Sequence, residues 1–186
     1  MTGSRMAKKS PTRAQIKNAL TQVERDTLVS LVADLHGLGK ENLAFIDARL
    51  GLTAHPLAPF KKRIEEALFP DIIRGHPIRI SAARKALSDY RRAIGDPEGV
   101  LDLLVHYVEC GTRMTVEYGD IDEGFYDSLE SVFDEAVTKL EASPPELVGR
   151  FLPRLRSVVQ SASGIGWGYH DFLRDRLHES FSDDRS

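Results

Sequence analysis

Asp102, His106, Glu109 and Arg113 stand four, three and four residues apart, so on a helix they form one polar stripe. An acid, an imidazole and a second acid on one face could hold a metal ion or move a proton. No other segment offers a matching set of histidines, and the Glu-x-x-His pairs of di-iron bundles are absent. The plainer reading is an ion-paired stripe, with Asp102 facing His106 and Glu109 facing Arg113 at i, i+4. His106 and Cys110 lie one turn apart, the spacing of a Cys–His couple. With no third orienting group in sight, Cys110 reads as a buried structural thiol. No catalytic residue, metal or cofactor is assigned, and the chain reads more as a binding protein than as an enzyme.

Three further constellations carry charge or an unusual backbone. Glu123, Asp127, Glu130 and Asp134 share a face at the same four, three, four spacing. Like charges so placed repel by about 0.2–0.5 kcal/mol a pair, so the face is either solvated or a docking surface. Asp120-x-Asp122 begins a calcium loop, but Gly124 at position five, Phe125 at six and Ser131 at twelve end that reading. Arg84, Arg91 and Arg92 belong to the basic stretch Lys61–Arg92 and are candidate phosphate contacts. No zinc finger, RNA-binding sheet or recognition helix accompanies them, so nucleic acid is the lesser expectation. Gly164, Gly166 and Gly168 form a candidate anion-binding turn. A dinucleotide fingerprint follows a strand, whereas this run follows a helix. It reads first as a turn between helices, with Trp167 packed into the groove between them. Gly-x-Ser-x-Gly, a phosphate-binding Walker loop and His-Glu-x-x-His occur nowhere.

The elements that must position these residues are helical. Apolar residues recur at three and four, and no long stretch alternates with period two. Helices are expected over about 12–20, 23–36, 40–50 and 59–69, and again after Ser81 to Ile94, from Pro97 to Tyr118 and beyond Asp122. Asp122 is expected to cap the last of these. Its core face is Phe125, Leu129, Val132, Phe133, Ala136, Val137 and Leu140. Ser143-Pro-Pro-Glu146 reads as a capping box with a proline start. Pro153 should kink or split the helix that follows, and a last helix runs from about Gly166 to Glu179. The expected architecture is all-α: a single-domain bundle or short curved array of seven or eight mostly antiparallel helices.

Charge is sorted along the chain. Residues 1–95 hold 17 basic against 9 acidic side chains, a net +8; residues 96–141 hold 2 against 13, a net −11; residues 142–186 balance. Such sorting bears on partners and solubility rather than on a reaction. Residues 1–11 and 180–186 are expected to be flexible ends. They flank one helical domain over 12–179, divided into a basic half (12–95), an acidic helix pair (96–141) and a C-terminal helix pair (142–179). One cysteine in 186 residues forbids an internal disulfide. No apolar run approaches the roughly 18 residues of a membrane span, and the basic N-terminal stretch lacks the apolar core of a secretory signal. A cytoplasmic location without membrane contact is expected.

Five phrases together resemble a bacterial family of small helical proteins of unknown function. They are Leu-Val-Ser-Leu-Val-Ala-Asp-Leu at 28–35, Ala-Arg-Lys-Ala-Leu-Ser-Asp-Tyr at 83–90, Tyr-Val-Glu-Cys-Gly at 107–111, Tyr-Gly-Asp-Ile-Asp-Glu-Gly-Phe-Tyr at 118–126 and Gly-Ile-Gly-Trp-Gly at 164–168. The resemblance spans about Gln15 to Leu173. It implies an all-helical cytoplasmic protein and supplies no activity, cofactor or site residue. The functional expectation is therefore a non-enzymatic interaction or adaptor module that docks a protein partner through charge-segregated faces. A small-molecule or metal site at the Asp102–His106–Glu109 stripe comes second, and nucleic-acid binding third. Opposite charges on one chain also allow a homo-oligomer.

Overall fold

The computed structural model describes residues 10–182, so most of both expected flexible ends lies outside the described residues. Nine α-helices and one 3-10 turn are present among the described residues, and no strand. The chain is all-α, with each periodic segment forming a helix of its own, hence nine rather than seven or eight. The expected 12–179 domain divides into two compact units, at Leu43/Ala44.

The first unit holds α1 (Arg13–Leu20) and α2 (Arg25–Gly37). Thr12 and Gln15 form a reciprocal capping box at the start of α1, satisfying donors that the first turn leaves without intrahelical partners. Neither helix has a buried residue. Ile16 and Leu20 on the apolar edge of α1, and Leu31 and Leu35 on the apolar stripe of α2, are exposed. α3 (Lys40–Leu50) begins in this unit and continues into the second.

The second unit is a bundle of α4 (Ala58–Leu68), α5 (Ile80–Ala93), α6 (Pro97–Tyr118), α7 (Glu123–Glu141), α8 (Pro145–Ser161) and α9 (Tyr169–Phe181). Its axis is α6, apolar on nearly every side. Val100, Leu101, Leu103, Leu104, Val105, Tyr107, Val108 and Met114 are all buried, against α4, α5, α7 and α8. Helices joined by short turns run antiparallel, as Tyr107 meeting Ser128 and Thr115 meeting Tyr126 show for α6 and α7. Helices one step further apart run parallel. Asp102 of α6 faces Arg154 of α8, and Tyr126 of α7 faces Tyr169 of α9. The core face read for α7 is buried in full, joined by Tyr126 and Ser128. Three buried hydroxyl pairs, Tyr107–Ser128, Thr112–Tyr169 and Thr115–Tyr126, satisfy the polar ends of aromatic rings that the core encloses.

The helix starts show where local signals mislead. Asp122 caps α7, accepting from the Phe125 N–H, and Asp96 caps α6, accepting from Gly99. The Ser143 box does not form: Pro144 occupies the cap, Pro145 begins α8, and the Ser143 hydroxyl turns back to the Lys139 carbonyl at the end of α7. Two consecutive prolines fix the backbone so that the helix starts one residue later than a serine cap requires. Ser81 does not cap α5, which begins at Ile80 behind Arg79. The Arg79 N–H is taken by the Ala67 carbonyl of α4. α8 runs unbroken through Pro153, held by Phe151, Leu155 and Val158 in the core.

Candidate functional site

The polar stripe of α6 lies where three helices meet, and its partners come from α4 and α8 rather than from α6 itself. The Asp102 carboxylate accepts from Arg154 Nη1 at 2.6 Å on one oxygen and from Lys61 Nζ at 2.7 Å on the other. Arg154 turns its remaining face to Glu109, donating from Nε at 2.8 Å and from Nη2 at 2.7 Å. Arg113 pairs with Glu65 at 2.8 Å and lies over the Phe69 ring, 3.8 Å from its centroid. The i, i+4 pairs expected within the helix are thus replaced by cross-links between helices. One planar guanidinium reaches two carboxylates at once, a match no i, i+4 neighbour on α6 equals.

This wiring sets the electrostatics. Burial raises the Asp102 pKa, but hydrogen bonds from Arg154 and Lys61, with their charges, lower it further, so the carboxyl is held below its ordinary value. Asp89 on α5 is governed likewise. Burial is opposed by Arg63 at 2.8 Å, Lys85 at 3.0 Å and Arg92 at 2.5 Å, and the net shift is downward. Burial is the largest influence on His106 too and holds it neutral-favouring, below its ordinary pKa.

The stripe forms an ion-paired node, a cross-link between α4, α6 and α8. Both Asp102 oxygens and both Glu109 oxygens are engaged by cations. Among the described residues, no group of three or more His, Cys, Asp or Glu side chains is arranged to hold a metal ion. His106 Nε2 lies 3.2 Å from the Lys61 carbonyl, which can only accept, so Nε2 carries the proton. The same nitrogen is 3.5 Å from Cys110 Sγ and, being protonated, cannot act as a base toward the thiol. Burial, then the Glu65 charge, push the Cys110 thiol up to about 12. Alkylation of Cys110 by iodoacetamide at pH 8 is expected to run at least about a hundredfold slower in the folded protein than in the urea-unfolded chain, where the thiol titrates near 8.5. Equal rates would overturn the inert assignment.

Beside the node lies a cleft of about 300 Å³ lined by residues of α6 and α8. Glu109, Arg113, Arg154, Ser157 and Ser161 are among its lining residues. Its volume is at the lower limit for small-molecule sites, and its charged groups are those already paired across the helices.

The phosphate-contact residues are engaged as well. Arg84 donates to the Ser128 hydroxyl at 3.2 Å and to the Ser128 carbonyl at 3.0 Å, tying α5 to α7. Arg91 grips both oxygens of Glu135, and Arg92 pairs with Asp89. Neutralising a phosphate would require breaking these contacts. The glycine turn has the backbone of a chain reversal: Gly164, Trp167 and Gly168 have φ of 85°, 61° and 74°. Trp167 does not pack into the groove; it is 61% exposed. A Cβ at Gly166 would lie 3.6 Å from Asp120 Oδ2, and Asp171 stands in the first turn of α9, so an anion there would meet carboxylates.

The acidic face differs from the other three. Glu123, Asp127 and Asp134 are exposed and Glu130 is half-buried. Asp134 pairs with Arg176 of α9 at 2.5 Å. Burial, then the neighbouring Asp127 charge, raise the Glu130 pKa, as expected of carboxylates lacking a nearby cation. Phe172, one turn from both Tyr169 and Arg176 on the helix that packs against α7, is also exposed.

Arg154, Lys61 and Glu65 escaped sequence reasoning. A signal existed: Glu98 and Asp102 stand at i, i+4 on α6, and Arg150 and Arg154 repeat that spacing on α8, where they pair in order. It becomes readable only once α6 and α8 are known to run parallel. No helix among the described residues is long and apolar enough to cross a membrane. No family model matches the chain, nor does any curated protein or solved structure.

Proposed function

We propose that the protein is a non-enzymatic interaction module that docks a basic polypeptide segment on the α7 face. One observation carries this reading. The groups that could do chemistry on α6 are consumed as cross-links, whereas exposed Glu123 and Asp127 and half-buried Glu130 have no salt bridge to a basic side chain among the described residues. Carboxylates left in that state repel one another and gain when a cation-bearing partner arrives. Exposed Phe172, on the helix that packs against α7, suits the apolar side of an amphipathic segment.

The test is affinity capture from native lysate at low salt with a salt-step elution, run in parallel with the triple variant Glu123→Gln, Asp127→Asn, Glu130→Gln. A stoichiometric polypeptide is expected on the native protein, released by salt and absent from the variant. Identical eluates from the two would overturn the proposal, and nucleic acid as the only captured species would replace it.

A further inference from the structure

The first unit poses a separate problem. α1 has 8 residues and α2 has 13, and neither buries a side chain. Helices this short are marginal in water unless an apolar face is covered. Leu28, Leu31, Val32 and Leu35 fall at i, i+3, i+4 and i+7, one stripe along α2. Ile16, Leu20, Leu31, Val32, Leu35 and Leu38 are between 37% and 75% exposed.

We infer that a second copy of this chain covers the α2 stripe, in an antiparallel pair related by a two-fold axis. Self-complementarity supports that occupant. With Leu31 opposite the partner's Val32, Leu28 falls opposite the partner's Leu35, and the stripe maps onto itself. In the same register Arg25 meets the partner's Leu38, Asp26 the partner's Gly37 and Asp34 the partner's Val29, so no charge opposes a like charge. The extent of exposed apolar surface fits as well. Six large side chains between 37% and 75% exposed leave apolar surface on α1 and α2 for such an interface, a standard one taking ~800 Å² per partner. The dimer is independent of the α7 proposal and would present two acidic faces in one assembly.

Sedimentation equilibrium of the full chain at 0.15 M and 1 M NaCl tests it, alongside the variant Leu31→Glu/Leu35→Glu. The native chain is expected at twice the protomer mass in both salts, because apolar contacts are not screened. The variant is expected to be monomeric with unchanged helical circular dichroism. Its dissociation constant should rise by more than about a hundredfold, since four carboxylates would be desolvated in one interface. A native chain that is monomeric throughout overturns the inference. A dimer that persists in the variant overturns it too, as does one that dissolves at 1 M NaCl, which would mark head-to-tail pairing of basic and acidic regions instead.

Discussion

Arg154→Ala is expected to lower the unfolding free energy of the full chain by about 3 kcal/mol at pH 7, read by urea titration. The side chain bridges Asp102 and Glu109, and the Asp102 side chain is only 7% exposed. Removing one partner of a buried pair leaves a charge that water cannot reach. Lys61, 2.7 Å away, still neutralises part of it, which places the loss toward the lower end of the range. The loss also has a pH signature. The folded pKa of Asp102 lies below its unfolded value. Such a group adds stability above the unfolded pKa, near 4, and loses it as pH falls through the folded pKa. Truncating Arg154 removes much of that contribution, so the gap between native protein and variant should be full at pH 7 and narrow as the pH falls below about 4. Asp89 retains its own cations in both proteins and contributes the same acid-side loss to each. Asp102→Asn in the Arg154→Ala background should recover part of the loss at pH 7. A gap that does not narrow at all between pH 7 and pH 3 would assign the effect to lost packing of Arg154 over the Phe151 ring instead.

The same node shows what a sequence can and cannot disclose. The stripe was legible because a polar row on an otherwise apolar helix must be explained, and Asp102 and Glu109 did prove to need partners. Their partner was not legible, since Arg154 lies 45 residues beyond Glu109 and only tertiary placement brings it there. The helices themselves were readable from caps and periodicity where one signal acted alone, as at Asp122. Where signals competed, the stiffer one prevailed: the two prolines after Ser143 overrode its hydroxyl, and core packing carried α8 through Pro153. Periodicity marks an apolar stripe through Leu31 and Leu35, but it reports only that the face is apolar, not what covers it. The charge sorting survives in part. Arg91 and Glu135 join the basic and acidic regions, while Glu123 and Asp127 stay exposed.

Gly99→Ala is expected to destabilise the protein by about 3 kcal/mol, at the upper end of the ordinary penalty for overpacking a core. The sign is the informative part, because glycine to alanine inside a helix normally stabilises by up to about 1 kcal/mol. Here the helix packs too closely for a methyl group. A Cβ on Gly99 would fall 2.0 Å from the Tyr90 hydroxyl oxygen, 2.7 Å from the ring carbon that bears it and 2.9 Å from Asp96 Oδ1. Those atoms have little room to retreat. Tyr90 is 2% exposed, its ring meets Phe60 edge-on at 5.3 Å, and its hydroxyl donates to Asp96 at 2.5 Å. Asp96 in turn caps α6 by accepting from the Gly99 N–H at 2.7 Å. Burial, then the Asp96 carboxylate, raise the Tyr90 pKa, so the phenol stays a donor across the working pH range. A methyl at position 99 therefore strains a cap, a buried hydrogen bond and an aromatic contact together. Tyr90→Phe removes the nearest atom, and a double-mutant cycle should show the Gly99→Ala penalty reduced by about 1 kcal/mol or more in that background. The ring carbon at 2.7 Å would keep the rest in place. Additive losses would place the penalty away from the Tyr90 hydroxyl, and an alanine variant as stable as the native chain would mean that α5 and α6 can separate without cost at this crossing.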